Sequence, residues 1–195
     1  MLEAKGINMN IKQLIKFGFL LMLVCALAAG ALAYVYAKTK PVIEERKVEA
    51  EKEAIQSVFP QAVEVKIVIA GKENYKVVFD KDQQELGVAM KAAPIGYGGP
   101  IEILVGVTRE GKVSAIKIMN QNETPGLGTK TAEPKFFEQF AGKQDKELAL
   151  KKDGGSIEAV TAATISSRAV TKGVREAVDK VLKFYEGQKT NESEK

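Results

Sequence analysis

Ile101-Glu102-Ile103-Leu104-Val105-Gly106-Val107-Thr108-Arg109-Glu110-Gly111-Lys112-Val113-Ser114-Ala115-Ile116-Lys117-Ile118-Met119 is the stretch on which the fold turns. β-Branched and other apolar residues dominate Ile101 to Thr108 and Lys112 to Met119, and the polar Arg109-Glu110-Gly111 between them reads as a hairpin turn. Toward the N-terminus, Val63 to Ile69, Tyr75 to Asp80 and Leu86 to Lys91 are further strand-type runs, divided by the polar breaks Lys72 to Asn74 and Lys81 to Gln84. Connections this short join antiparallel neighbours, so the middle of the chain is expected to form an antiparallel meander. Toward the C-terminus, Glu133 to Phe140 predicts a short helix with Phe136, Phe137 and Phe140 available for packing. A longer helix is predicted from Ile165 to Tyr185, where Val170, Val174, Val178, Val181 and Tyr185 recur at helical spacing and form one core-facing stripe. A meander with packed helices is an α+β architecture.

The remainder of the chain is organised by one apolar run. Phe17 to Tyr36 carries no charge, and at about 1.5 Å per residue a helix of this length crosses the hydrocarbon core of a bilayer. Lys5, Lys12 and Lys16 precede it, while Glu44 and Glu45 soon follow Lys38 and Lys40, so residues 1–16 are expected on the cytoplasmic side and the rest outside. Tyr34 and Tyr36 sit where an interfacial aromatic belt would lie. Ala31-Leu32-Ala33 also fits a signal-peptide cleavage site, but the run exceeds a usual signal-peptide core, and a retained anchor over residues 17–36 is the expectation. Residues 37–60, rich in Glu, Lys and Ala from Pro41 to Phe59, read as a helical linker, residues 61–187 as one globular domain, and residues 188–195 as a polar tail.

Composition removes several kinds of chemistry. The chain has no His, and its single Cys25 lies within the apolar run, preceded by Leu23 and Val24, which are bulkier than a lipoprotein signal would have. Zinc sites, haem with an axial His, cysteine-ligated iron-sulfur clusters and a Ser-His-Asp triad all lack their ligands or base, and no metal site is expected. Redox chemistry on this chain therefore requires an organic cofactor. A net charge of +4, evenly mixed, is not a nucleic-acid surface.

Ahead of the long helix stands Glu158-Ala159-Val160-Thr161-Ala162-Ala163-Thr164-Ile165-Ser166-Ser167. Free backbone N–H groups, the positive end of a helix dipole, hydroxyls and small side chains suit an anion such as a phosphate. The same Thr and Ser residues also suit plain helix capping, and the sequence alone leaves both readings open. Glu123-Thr124-Pro125-Gly126-Leu127-Gly128 is a Pro-Gly turn with a second Gly, able to bring backbone close to a flat ligand, with Leu127 as an apolar contact and Glu123 or Thr124 as a polar one. Gly96-Tyr97-Gly98-Gly99-Pro100 is a further Gly-rich loop, in which Tyr97 either borders a ring or is a half-buried structural Tyr. Asn122-Glu123-Thr124 fits a glycosylation pattern as well.

The Thr-rich run resembles the Asp-x-x-[Ser/Thr]-Gly-Ala-Thr-x-[Ser/Thr] signature of the FMN-binding domain in the G subunit of the Rnf electron-transport complex and the C subunit of the sodium-pumping NADH:quinone reductase. Glu123 to Gly128 is identical to the Glu-Thr-Pro-Gly-Leu-Gly loop of that family, and the three segments occur in family order. Glu158 stands where the family has Asp and Ala162 where it has Gly. The short chain favours the Rnf protein over its longer relative. The resemblance implies a single-pass anchor followed by an α+β FMN-binding domain, with FMN held as a phosphoester of Thr164. Thr161, Ala162, Ala163, Ser166, Glu123, Thr124, Gly126, Leu127, Gly128 and Tyr97 are the implied cofactor-binding residues. It also implies an electron relay in an ion-translocating ferredoxin:NAD oxidoreductase complex of the plasma membrane, without a catalytic site of its own. The implied partners are the other subunits and a flavin transferase. The competing readings are the sodium-pump protein, a membrane-anchored flavin-binding regulatory module, and an exported structural domain whose Thr residues only cap a helix.

Overall fold

Each expected strand is present within a residue or two of its predicted ends. The computed structural model describes residues 11–70 and 73–193; the first ten residues, with Lys5, and Lys72 of the first polar break lie outside them, as do the last two residues of the expected tail. The strands β1 (Glu64–Ala70), β2 (Glu73–Phe79), β3 (Glu85–Ala92), β4 (Glu102–Val107) and β5 (Val113–Asn120) form one sheet in sequence order, antiparallel throughout. The Arg109-Glu110-Gly111 turn closes as read: Thr108 N–H donates to the Lys112 carbonyl at 2.8 Å, and Gly111 takes φ +80°. That left-handed position explains the Gly in the turn.

Alternation along the strands sends two sets of side chains to opposite faces. Val77, Val88, Met90, Ile103, Val105 and Val107 face the long helix α3 (Thr164–Ser193), whose Val170, Val174, Val178, Val181 and Tyr185 are all buried, so the stripe is a core face. Tyr75 stacks on Phe184 with ring centroids 4.4 Å apart. Tyr185 donates to Glu85 at 2.5 Å; burial first, and then this bond, push its phenol above the ordinary 10.0. On the opposite face, Val78, Ala89 and Leu104 pack with Ala54, Ile55, Val58 and Phe59. The Val58 carbonyl accepts a bond from Ser114 Oγ on β5 at 2.7 Å. The predicted helix Glu133 to Phe140 is one helical turn, α2 (Pro134–Phe137), continued as a 3-10 turn over Glu138–Phe140. Phe136 and Phe140 meet edge to face, both buried in the α3-side core. The class is α+β.

Two boundaries differ from the sequence reading. Anchor and linker, read as separate segments, are one helix, α1 (Ile11–Val58), with Pro41 inside it. Proline removes one backbone bond, but the Lys, Glu, Ala and Arg residues around it are strong helix formers and the helix continues. α3 likewise runs to Ser193, past Gly187 where the polar tail was expected, because a single Gly weakens a helix by only about 1 kcal/mol. The chain divides between Glu49 and Ala50 into two units. In the N-terminal one, the richest 18-residue window of α1 has a mean hydropathy of 2.3 and no buried residue, so this helix is long and apolar enough to cross a membrane.

Candidate functional site

The three segments singled out in the sequence converge. The loop 93–100 between β3 and β4 leans on α3, where Gly173 leaves room for Pro94; a Cβ there would lie 2.6 Å from the proline ring. After β5 the chain enters the Thr124 to Gly128 turn. Leu127 N–H donates to the Thr124 carbonyl at 3.1 Å and Gly126 takes φ +76°, the pattern of a type II turn with Pro125 leading. Gly128 is required for space instead, since a Cβ there would lie 2.7 Å from Glu123 Cβ and 2.8 Å from Ser166 Oγ. The approach to α3 is fixed from outside by Gln139, whose side chain accepts from Glu158 N–H at 2.7 Å and donates to the Glu158 carbonyl at 3.3 Å.

Between these segments lies an open cleft of about 550 Å³, within the range of small-molecule sites. Tyr97, Glu123, Thr124, Leu127, Gly128, Ala162, Ala163, Thr164, Ile165 and Ser166 form its wall. Its apolar members are unusually open for their type: Tyr97 is 71% and Ile165 54% exposed. The next two positions invert the ordinary pattern, with Ser166 at 2% and Ser167 at 0%. A helix that turns Ile outward and Ser inward at its first turn is arranged for something other than its own core.

The capping question has a direct answer in the hydrogen bonds. Ser167 Oγ accepts from Val160 N–H at 3.0 Å and donates to the Ala163 carbonyl at 2.9 Å. Neither Thr161 nor Thr164 uses its hydroxyl in a bond among the described residues, so neither caps the helix, while Ser167 ties Val160 to the first turn of α3. The first backbone bond of α3 runs from Ser167 N–H to the Ala163 carbonyl at 2.9 Å, which leaves the N–H groups of Thr164, Ile165 and Ser166 without backbone acceptors. Donors and a half-buried hydroxyl thus open onto one cleft with apolar walls. That combination fits a flat ring system bearing a phosphate.

Comparison with known proteins agrees with this geometry. Residues 96–179 match the family described as FMN-binding domain, and residues 9–58 match the RnfG N-terminal region. The chain is 36% identical over 171 residues to the G subunit of the proton-translocating ferredoxin:NAD(+) oxidoreductase complex of Clostridium ljungdahlii, covering 86% of this chain and 91% of that one. It is 33% identical over 194 residues to the G subunit of the Na(+)-translocating ferredoxin:NAD(+) oxidoreductase complex of Acetobacterium woodii, covering 88% and 93%. The chain belongs to the RnfG family. Its N-terminal apolar helix fits a single-pass anchor in a membrane complex.

Within this family frame the expected site residues divide into three groups. Tyr97, Thr124, Leu127, Gly128, Ala162, Ala163 and Thr164 line the cleft. Glu123 and Ser166 line it too, but their polar atoms are bonded to each other at 2.5 Å, so neither side chain is a free contact. Gly126 shapes the turn without lining the cleft, and Thr161 borders a neighbouring cleft of about 390 Å³ with Lys130, Lys135, Phe136 and Gln139. Ile165 and Ser167 were missed, although an Ile off the Val170 stripe and a second consecutive Ser were visible signals.

Ala162, standing where the family pattern has Gly, takes φ +60°. This explains the pattern: the turn into α3 needs a left-handed residue, and a Cβ there costs about 1–2 kcal/mol. Ala162→Gly is expected to stabilise the domain by about 0.5–1 kcal/mol, the relief of strain exceeding the added freedom of the unfolded chain. Urea unfolding of the two proteins checks this, and a lower midpoint for the glycine variant would contradict it.

Proposed function

We propose that this chain carries FMN as a phosphoester of Thr164 and serves as an electron relay in an ion-translocating ferredoxin:NAD oxidoreductase complex. The observation that carries the reading is the Thr164 hydroxyl, which makes no hydrogen bond among the described residues, beside three N–H groups at the mouth of α3 that have no acceptor among them. The ester oxygen would be Thr164 Oγ1. The N–H groups of Thr164, Ile165 and Ser166 would hold the phosphate, and the αL turn at Ala162 sets their direction. Tyr97, Leu127 and Ile165 would take the ring against apolar surface and exclude water from it. FMN, when bound, supplies reversible electron acceptance that no side chain of this His-free chain offers. A covalent link suits a shallow, open cleft because dissociation is abolished while the ring edge stays accessible.

In this reading residues 17–36 span the membrane with the N-terminus cytoplasmic, and the domain from residue 61 onward works outside, attached to the other subunits of the complex. A flavin transferase installs the cofactor. The test is to co-express the full chain with such a transferase, denature it, and digest with trypsin. One flavin adduct is expected on the peptide spanning residues 153–168, with fragmentation placing it on Thr164 and not Thr161. An adduct on Thr161, or none when a control protein is modified in the same cells, would overturn the proposal.

A further inference from the structure

Glu123 is the most constrained polar residue of the site. Its side chain is 5% exposed, yet both carboxylate oxygens are bonded, and to segments far apart in the chain. Oε1 accepts from Gly98 N–H at 3.0 Å in the loop between β3 and β4, and Oε2 accepts from Ser166 Oγ at 2.5 Å in the first turn of α3. Neither donor is a cation. A carboxylate held in the interior by two neutral donors is costly unless both bonds are kept. The surrounding backbone is cut to fit it. A Cβ on Gly96 would overlap Oε1 and lie 3.0 Å from the carboxyl carbon, and one on Gly128 would lie 2.5 Å from Oε2. Two glycine-bearing stretches and the start of α3 thus close round one side chain.

We propose that Glu123 is a positioning residue: its carboxylate latches the Tyr97 loop to the start of α3 and so holds the cleft open in one shape before any ligand arrives. Tyr97 is next to the latched Gly98, and Thr164 lies two residues before the latched Ser166. The distance between the ring-bordering side chain and the free hydroxyl is therefore set through Glu123. The consequence for bound flavin rests on the FMN reading above; the latch itself does not.

The conservative variant separates hydrogen bonding from charge. Glu123→Gln retains an acceptor for Gly98 N–H and presents an amide donor to the Ser166 hydroxyl, whereas Glu123→Ala loses both bonds. In the full chain, purified in detergent without flavin, the Gly98 amide is expected to exchange hydrogen at least about tenfold faster in Glu123→Ala than in wild type, and within about threefold of wild type in Glu123→Gln. In the transferase-treated proteins, flavin fluorescence anisotropy should fall in Glu123→Ala and be retained in Glu123→Gln. Ser166→Ala breaks only one arm of the latch. It should lower the anisotropy while leaving Gly98 protected, and it serves if Glu123→Ala does not fold. Unchanged exchange and anisotropy in Glu123→Ala, a Gln variant that behaves like the Ala variant, or no anisotropy change in Ser166→Ala would each overturn the latch. If the exchange pattern holds and wild type acquires no flavin, the latch stands and the FMN reading fails alone.

Discussion

Replacing Thr164 by Val should abolish covalent flavin while leaving the domain folded, a loss of the whole in-gel fluorescence signal. The two side chains have nearly the same shape, and the hydroxyl that is removed makes no hydrogen bond among the described residues, so the fold loses no bond with it. The side-chain bonds at the start of α3 are also kept, because Ser167 and not Thr164 bonds the Val160 N–H and the Ala163 carbonyl. Stability should therefore shift by less than about 0.5 kcal/mol, measured as the unfolding midpoint without flavin. Were Thr164 a structural cap, the same substitution would cost about 1 kcal/mol instead. The cap reading thus predicts a destabilised variant and no flavin in either protein, and equal fluorescence in both would move the attachment elsewhere.

Much of this site was legible before the structure because its chemistry depends on backbone conformation, and conformation constrains residue type. The Pro125-Gly126 turn and the Gly111 hairpin need φ values that glycine alone takes cheaply, so glycines in those places carried geometric information. The Val170 stripe was readable for a different reason: a helix packed on one face of a sheet must repeat its apolar residues at the helical period. What resisted reading was long-range. Gly96, Gly98 and Gly128 look like ordinary turn glycines, and only the fold reveals that Gly96 and Gly128 make room for one carboxylate and Gly98 for the Asn122 backbone. Ser166 and Ser167 look alike in sequence, yet one bonds Glu123 and the other bonds the Val160 N–H and the Ala163 carbonyl. Local propensity cannot assign partners 25 and 43 residues away. The continuity of α1 has the opposite cause: composition changes where the apolar run ends at Tyr36, while the residues on both sides of that point and of Pro41 favour helix.

Gly98→Ala should be among the most damaging single-methyl additions in the domain. A Cβ at this position would overlap the Asn122 carbonyl oxygen and lie 2.9 Å from the Asn122 carbonyl carbon. Those are backbone atoms just past the end of β5, so no side chain can rotate to relieve the overlap, and the loop itself must withdraw. Withdrawal breaks the 3.0 Å bond from Gly98 N–H to Glu123 and leaves one oxygen of a buried carboxylate without its donor. Strain and the unmet acceptor together should cost about 3 kcal/mol or more. For a domain of this size that lowers the unfolding temperature by roughly 8 °C or more. Gly187→Ala is the matched control: a Cβ there meets nothing within 4 Å, and within α3 the alanine should stabilise by about 0.5–1 kcal/mol. The pair separates loss of glycine in general from loss of space at Gly98. If Gly98→Ala melts together with wild type, the close approach of the Tyr97 loop to Asn122 is not a feature of the folded protein.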